Sequence, residues 1–261
     1  MYRFLATPRW VGLGLVMALV AATMVGLGFW QLHRYHERAA INARIDAAQT
    51  ADPVPVSKVL PPPAPGGGGA PPATAAWSRV TITGVYDPSR EILARGRTVD
   101  DKVGYEVLTP LRLVDGSAVV VDRGWIPPAK RGASARPDVP PAPPGQVTVV
   151  GMVHLTESHG GTVEHHPDGR QVRRIGMAAI GADLPYPIYG AYVQLDTQAP
   201  PADARLVPVP PRYENSWQNA GYVVQWWLMA LLTLTGFVIL ARREARTADG
   251  AARDLALSSG A

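Results

Sequence analysis

Two clusters of tryptophan and glutamine carry most of the chemistry that the sequence offers. The first is Trp30–Gln31, at the end of an apolar run, and the second is Gln225–Trp226–Trp227, at the start of another. A glutamine amide needs a hydrogen-bond partner wherever water is scarce, and an indole offers a flat apolar face. The clusters therefore suit two helices that satisfy each other's amides, or a cofactor or partner site, or an aromatic belt at a membrane surface.

Both clusters lie at the ends of segments long enough to cross a membrane. Residues 10–32 and 222–241 contain no ionised side chain, and about 20 apolar residues in a helix span a hydrocarbon core of ~30 Å. The first run is too long for the apolar part of a cleaved signal peptide, so we expect an uncleaved anchor. Its small residues Ala18, Ala22 and Gly26 are four apart, a spacing that favours close packing against another helix.

Arginines indicate the orientation of the second span. Arg242, Arg243 and Arg246 follow it, and basic residues concentrate on the cytoplasmic side of a membrane. We therefore expect cytoplasmic tails at residues 1–9 and 242–261 and an extracytoplasmic domain between the two transmembrane helices. Most of the net charge of +4 lies in these tails, which suits anionic lipid head groups and not nucleic acid.

The chain between the spans divides into a linker and a β-rich domain. Residues 33–76 continue the first helix to Thr50 and then form a linker rich in proline and glycine. Residues 77–212 show about six runs of β-branched residues, one proline-rich loop at 127–145 and an apparent loop at 156–170. With no full helix between the strands, they predict an all-β domain, an antiparallel sandwich or a barrel-like fold. A pre-span segment follows at 213–221.

Outside the spans, Arg123 is the main candidate for binding. It follows a fully apolar strand, and its guanidinium suits a ligand carboxylate held by two parallel hydrogen bonds. The alternative is a structural ion pair with Asp122 or Glu106. The histidines offer less: we expect His154 to be exposed, His33 and His36 to lie in water beside the first span, and His159, His165 and His166 to lack the further ligand that a metal site requires.

Several kinds of chemistry are excluded by the residues themselves. The chain has no cysteine, which rules out disulfides, thiolate metal sites, a thiol nucleophile and c-type haem attachment. It also lacks the G-x-S-x-G, H-E-x-x-H and P-loop patterns. We therefore expect neither an enzyme, with catalytic residues, nor a resident metal site.

Five motifs, taken in order along the chain, resemble the SURF1/Shy1 family of cytochrome oxidase assembly factors. Each motif is weak evidence alone, but together they cover most of the chain outside its proline-rich segments and tails. They are Gly28-x-Trp30-Gln31-Leu32-x-Arg34-x-x-x-Arg38, the strand Val80 to Asp87, the hairpin from Thr109-Pro110-Leu111 through Asp115-Gly116 to Val119–Pro127, the stretch Gly151 to Glu157, and Tyr222-x-x-Gln225-Trp226-Trp227.

The resemblance implies a bacterial plasma-membrane protein that assists haem a insertion into subunit I of an aa3-type cytochrome c oxidase. Its partners would be subunit I, oxidase assembly intermediates and the lipid bilayer, and haem a would be a transient cofactor. The site residues implied are Trp30, Gln31, Arg34, Gln225 and Trp226 at the membrane surface, with Arg123 as a contact from the outer domain.

One position departs from the family pattern. Many members have a histidine shortly before the second span, where this chain has Asn219. An amide does not replace imidazole as a strong axial ligand to haem iron, so the chain uses another ligand or none. The departure favours the alternative of a cofactor-free scaffold or accessory subunit that stabilises the oxidase. A third alternative, a two-span sensor, needs a larger cytoplasmic domain than the tails provide.

Overall fold

The computed structural model describes residues 3–129, 136–157 and 160–258, and the chain divides into two compact units. The first unit contains the two chain ends, up to Ala43 and from Tyr213 onward. The second unit is Arg44–Arg212. A sheet-rich unit therefore lies between two long helical ends in the sequence, which confirms the predicted fold class of two apolar helices flanking a β-domain.

The described residues form three α-helices and four short 3-10 turns. The helices are α1 (Pro8–Thr50), α2 (Met177–Asp183) and α3 (Ser216–Ser258). The turns are Arg3–Ala6, Val56–Lys58, Ala73–Ala75 and Pro88–Arg90. Helix α1 has proline at its first position and ends just before Asp52–Pro53, where proline disfavours a further helical turn. At ~1.5 Å per residue it is about 65 Å long, more than twice the hydrocarbon thickness.

Both α1 and α3 are long and apolar enough to cross a membrane. They pack antiparallel through residues spaced seven apart, as in a coiled coil. Gly14 lies against Phe237, the hydroxyl of Thr233 lies 3.8 Å from the sulfur of Met24, and Gly28 lies against Trp227. Small residues at these positions let the two backbones approach closely.

The small residues at intervals of four do not face α3, so their packing against a helix of another protein stays a prediction. Ala18, Ala22 and Gly26 are exposed, whereas Ala21 and Gly28 are buried. A methyl group on Gly28 would collide with the indole of Trp227, but one on Gly26 would meet nothing. Small residues occur on both faces of α1, at spacings of four and of seven residues. The sequence alone therefore does not tell which face packs against α3.

The second unit is built on nine strands in the described residues. They are β1 (Val54–Pro55), β2 (Arg79–Tyr86), β3 (Ile92–Val99), β4 (Lys102–Arg112), β5 (Ala118–Ile126), β6 (Gln146–Leu155), β7 (Glu164–His166), β8 (Gly169–Val172) and β9 (Ile188–Ala199). Five of them close a ring of pairings in the order β2–β6–β9–β5–β4 and back to β2. Strands β3, β8 and β7 extend the sheet beyond β4, and β1 pairs with β2. The barrel-like form of the predicted domain is thus present.

The sheet is mixed, whereas the sequence predicted a wholly antiparallel one. The pairs β1–β2, β3–β8 and β5–β9 are parallel. Strand β9 enters the ring between β5 and β6, which run in opposite directions. A strand in that position must be parallel to one neighbour, and β9 is antiparallel to β6 and parallel to β5.

The interior of the barrel is filled by branched apolar side chains from each strand of the ring. Strand β5 is buried along its whole length, and β4 is buried over most of its own. The core residues of the ring include Val80, Ile82, Leu111, Val119, Val121, Val147, Val149 and Val193. Turn chemistry fixes the β4–β5 hairpin, because Gly116 has φ of +83° and the carboxylate of Asp115 accepts hydrogen bonds from the Ser117 backbone and hydroxyl.

Candidate functional site

A polar network joins α1 and α3 next to the apolar part of the helix pair. Asn219 Nδ2 donates a hydrogen bond to Gln31 Oε1 at 2.6 Å, and Arg38 Nη1 donates to Asn219 Oδ1 at 2.9 Å. Arg38 also donates to the backbone carbonyl of Asn215 and lies 3.5 Å from a carboxylate oxygen of Glu214. Asn219 is buried, so its amide uses both its donor and its acceptor within the helix pair.

An open cleft of about 380 Å³ lies beside this network. It offers an exposed indole, two guanidinium groups and several amides. Its lining residues are Trp30, Gln31, Arg34, Arg38, Gln218, Asn219 and Tyr222. Trp30 is 54% exposed, and Arg34 forms an ion pair with Glu37 at 2.9 Å. The cleft can therefore hold a flat group against Trp30 and an anionic group near the arginines.

The structure brings together only part of the site expected from the sequence. Trp30, Gln31 and Arg34 share the cleft, whereas Gln225 and Trp226 do not line it. Gln225 is exposed and Trp226 is half-buried. Gln31 pairs with Asn219, which lies six residues before Gln225 on α3. Sequence reasoning marked Asn219 only as a missing histidine and overlooked it as the partner amide.

Arg123 lies in the interior of the β-domain, where its side chain is 1% exposed. Its Nη2 donates to the carbonyl oxygens of Pro140 and Pro141 at 3.1 and 2.9 Å. Its Nη1 lies 3.5 Å from a carboxylate oxygen of Glu91, and its guanidinium lies over the ring of Tyr86. The geometry thus favours a structural role for Arg123. We expected its acidic partner to be Asp122 or Glu106, but the partner is Glu91.

Glu91 and the proline-rich loop explain why Arg123 is buried. Burial raises the pKa of Glu91, and the charges of Arg123 and Arg136 oppose that rise. The loop residues that the structure describes, from Arg136 onward, reach Arg123 through Pro140 and Pro141. A guanidinium held in this way has no face open to a haem propionate, so the contact expected for Arg123 is not supported by its surroundings.

The β-domain contains a second group of polar residues that the sequence analysis missed. Arg97 is buried and lies 3.2 Å from Glu106 and 2.7 Å from Glu157. Burial raises the pKa of Glu106 despite the charge of Arg97. Burial also opposes ionisation of Glu157, but the hydrogen bond from Arg97 and its charge outweigh burial, so the pKa of Glu157 falls below its usual range. Arg97 thus holds two carboxylates in one place.

Asp122 lies in the same polar group and is 2% exposed. Burial raises its pKa well above the usual range, and the nearby charge of Glu106 adds to this. Its one hydrogen bond among the described residues comes from the backbone N–H of Gly124. The signal for this arrangement was present in the sequence, because an aspartate after a run of valines on a strand must point to one of the two buried faces.

His154 is half-buried, whereas the sequence analysis predicted that it is exposed. Its ring stacks on Tyr192, with centroids 5.3 Å apart, and meets the edge of Trp77 at 4.6 Å. Burial lowers the pKa of His154 to about 4, with help from the charge of Arg212, so the imidazole is neutral at pH 7. The pairing of β6 with β9 places His154 directly opposite Tyr192.

Three of the other described histidines have carboxylate neighbours, and His36 lies against the ring of Tyr35, with centroids 5.4 Å apart. His33 lies 3.2 Å from Glu37, and His165 lies 2.7 Å from Asp183. His166 lies 3.5 Å from Glu164, on the short β7–β8 hairpin. His159 lies outside the described residues. In the part of the chain that the structure describes, no three metal-ligating side chains lie together.

Comparison with known proteins gives a consistent result. The chain matches the model of the SURF1 family over residues 18–231. It is 31% identical over 246 residues to an uncharacterized SURF1-like protein of Mycobacterium bovis, which is 93% of this chain and 87% of that protein. A SURF1-like protein of Monosiga brevicollis is 27% identical over 256 residues, with 89% of each chain covered. Surfeit locus protein 1 of Homo sapiens is 28% identical over 170 residues, which is 59% of this chain and 53% of the human one.

Proposed function

Because the chain belongs to the SURF1 family of cytochrome c oxidase assembly factors, we propose that it assists the maturation of subunit I of an aa3-type oxidase at the step of haem a insertion. It acts as a binding protein and catalyses no reaction. Its partners are subunit I and the assembly intermediates that contain it. Its place is the bacterial plasma membrane, with both termini in the cytoplasm and the β-domain outside.

The observation that supports this proposal is the polar cleft at the end of the apolar segments of the helix pair. Gln31 lies at the end of the first predicted span, where a polar side chain is costly unless it faces a partner or a cavity. Here Gln31, Asn219 and Arg38 satisfy one another, and the exposed indole of Trp30 lies beside them. An exposed indole and two arginines at one cleft suit a ligand or partner with a flat apolar part and an acidic part.

The residues of the cleft fit haem a in part. Trp30 would lie against the macrocycle, and Arg34 and Arg38 would hold its propionates, since guanidinium groups bind carboxylates in pairs of hydrogen bonds. The side chains that line the cleft include no imidazole or thioether, and Tyr222 is the one of a type that ligates haem iron. The cleft thus offers contacts for the propionates and for the flat face of the haem, but only one side chain of a type that ligates iron. When bound, the haem is cargo, which the oxidase later uses for oxygen chemistry.

Deletion of the gene, followed by complementation, tests the proposal. We expect membranes of the deletion strain to lose most of the haem a signal in reduced-minus-oxidised spectra, and the full-length chain to restore it. A Trp30→Ala and Arg34→Gln double variant should restore less than the full-length chain. Trp217→Ala is the matched control, because Trp217 is 77% exposed and lies outside the cleft. A normal haem a signal and normal oxidase activity in the deletion strain would refute the proposal.

A cofactor-free scaffold is the second candidate function, and one observation favours it. Asn219 occupies the position of the family histidine, and its amide is fully engaged by Gln31 and Arg38. A pyridine haemochrome spectrum of the chain purified from a host that makes haem a separates the two functions. Protein that co-purifies with subunit I but carries no haem would establish the scaffold.

A further inference from the structure

An arginine-lined concavity in the β-domain is separate from every site described for the helix pair. It is open to solvent and has a volume of about 950 Å³. Its ionisable lining is five arginines, one glutamate and one tyrosine: Arg95, Arg97, Arg173, Arg174, Arg212, Glu157 and Tyr105. We call it the arginine pocket. Even with Glu106 and Glu164 counted as further neighbours of Arg97 and Arg95, arginines outnumber carboxylates.

The arginines reach the pocket from three separate parts of the chain. Arg95 and Arg97 lie on β3, Arg173 and Arg174 follow β8, and Arg212 lies on the return segment after β9. A solvated charged face on one strand or helix is common, but convergence from distant segments needs the tertiary fold. The mutual repulsion of such a group is relieved by an anion, which makes the pocket suited to carboxylate or phosphate groups.

Arg97 provides an independent sign that the pocket is built for a ligand. Its residue is 8% exposed, and its Nη2 has no hydrogen-bond partner among the described residues. Its Nη1 donates to Glu157, and its Nε lies 3.2 Å from Glu106 without a hydrogen bond. A buried guanidinium with unused N–H groups costs free energy unless a further acceptor is supplied. Arg97 lines the pocket but its Nη2 is closed to solvent, so a ligand carboxylate supplies the acceptor after a shift of this side chain toward the pocket.

A smaller cavity of about 340 Å³ adjoins the arginine pocket, since both are lined by Arg97, Glu157 and Arg212. It is walled by the rings of Trp77, His154 and Tyr192. We call it the aromatic slot. Faces and edges of aromatic rings at 4.6 to 5.3 Å from one another form a surface for a flat, apolar body.

The backbone of Trp77 adds a second sign of function at the slot. Its φ is +67°, in the left-handed region that bulky residues rarely adopt. The conformation is held by the hydrogen bond from Trp77 N to the carbonyl of Val153, at 2.8 Å. Glycine or asparagine would occupy this position with less strain. A tryptophan kept there at a cost is typical of a side chain that is needed in the adjoining cavity.

We infer that the arginine pocket and the aromatic slot together bind a flat, largely apolar ligand that carries carboxylate groups. The carboxylates lie in the arginine pocket, and the flat body lies against Trp77, His154 and Tyr192. The inference rests on the proposed function, because a haem with its propionates belongs to this class of ligand. It adds a second binding place for that ligand, in the β-domain, to the cleft of the helix pair, and there His154 faces a cavity.

The inference is tested by titration in detergent with hemin and with hemin dimethyl ester. The parent protein is the full-length chain with Trp30→Ala and Arg34→Gln, which removes the contacts of the helix-pair cleft, and the variants below are made in it. The ester keeps the flat body and lacks the carboxylates. We expect the shift of the Soret band to give at least tenfold tighter binding for hemin than for the ester. An Arg173→Gln and Arg212→Gln double variant should bind hemin at least tenfold more weakly and should no longer distinguish it from the ester. Both arginines are exposed, so the variant should still fold, which its thermal unfolding checks.

Arg205→Gln is the matched control, because Arg205 is an exposed arginine of the same domain that pairs with Asp138 and Asp203. It should bind hemin as the parent protein does. Equal binding of hemin by the parent and by the Arg173→Gln and Arg212→Gln variant would overturn the inference, as would full displacement of hemin by about 10 mM phosphate, which marks weak, unspecific anion binding. Either result would leave the proposed function untouched, since that function is judged by the haem a signal of the deletion strain.

Discussion

Asn219 donates a hydrogen bond to Gln31 across 2.6 Å, which links the middle of α1 to the first turn of α3. The same amide accepts from Arg38 at 2.9 Å. One side chain therefore connects a neutral amide and a cation on the facing helix. A neutral histidine could make the same two bonds, because its ring donates through one nitrogen and accepts through the other. In either case the groups that face Gln31 and Arg38 are engaged within the helix pair.

A double-mutant cycle on Gln31 and Asn219 measures this link. We expect Gln31→Ala and Asn219→Ala to show a coupling free energy of about 0.6–2 kcal/mol, the range found for polar pairs between membrane helices. The measurement is reversible unfolding of the full-length chain in detergent, at fixed detergent concentration. Gln31→Ala with Gln225→Ala is the control cycle and should show no coupling, because Gln225 is exposed. The pairing would be disproved if both cycles gave the same value.

Gly28 should tolerate no larger side chain. A methyl group there collides with the indole nitrogen of Trp227, and an indole cannot swing away as a flexible chain can. We expect Gly28→Leu to separate the helices locally and to lower the unfolding temperature in detergent, with loss of the Phe29–Trp227 ring contact at 5.6 Å. Gly26→Leu is the matched control, two residues away with open space around it. Equal effects of the two changes would show that the helices do not pack on this face.

Arg123→Met should lower the free energy of unfolding of the β-domain and should have little direct effect on ligand binding. The change leaves the buried Glu91 with Arg136 as its one remaining cationic neighbour among the described residues and frees two proline carbonyls. Removal of one partner of a buried ion pair costs about 3–5 kcal/mol. Denaturant unfolding of the full-length chain measures it, with Arg205→Met as an exposed control that should change stability little. If Arg123→Met unfolded like the control but lost hemin binding, Arg123 would be a ligand contact after all.

His154 should make stability depend on pH between about 4 and 6.5. In the unfolded chain its imidazole takes up a proton below a pKa of 6.5, whereas in the folded chain burial holds the pKa at about 4. The unfolded state therefore binds more protons in this window, so stability is full above pH 6.5 and is lost as the pH falls toward 4. The pKa difference corresponds to a loss on the order of 3 kcal/mol.

His154→Phe removes this dependence and keeps an aromatic ring in the slot. Denaturation midpoints of the full-length chain at pH 7 and pH 4.5 should differ less for His154→Phe than for the wild type. His166→Phe, at an exposed position, should follow the wild-type profile. Parallel profiles for the wild type and His154→Phe would show that the imidazole is not held neutral by its surroundings.

The elements with strong periodicity or turn chemistry were predictable from the sequence. Strand β6 is one of the runs of β-branched residues that predict a strand, and the β4–β5 hairpin follows from Asp115–Gly116. Three short strands were not predicted. Strand β7 lies inside the expected loop 156–170 and β8 begins within it, because three or four polar residues around Pro167 carry no alternating pattern. Strand β1 is two residues long and follows a proline.

For the candidate sites, the sequence predicted only groupings of residues within one segment of the chain. The sequence placed Trp30, Gln31 and Arg34 together because they are neighbours on one helix. The partner amide on α3 depends on the register between two helices, which neither sequence periodicity nor hydropathy specifies. The arginine pocket depends on three segments far apart in the chain, so its residues show no common motif. The burial of Arg123 depends on the loop carbonyls of Pro140 and Pro141, which accept its hydrogen bonds. No sequence pattern on β5 indicates these partners.

Closure of the barrel has a consequence for the behaviour of the chain before it meets a partner. A closed ring leaves few strand edges on which a second molecule could add a strand, and the outermost strands, β1 and β7, are two and three residues long. The outer half of β3, which β8 does not cover, carries Arg95 and Arg97. Short edges and edge charges are the means by which sheet proteins avoid aggregation. The sheet of this domain therefore offers other copies of the chain little opportunity to pair with it edge to edge.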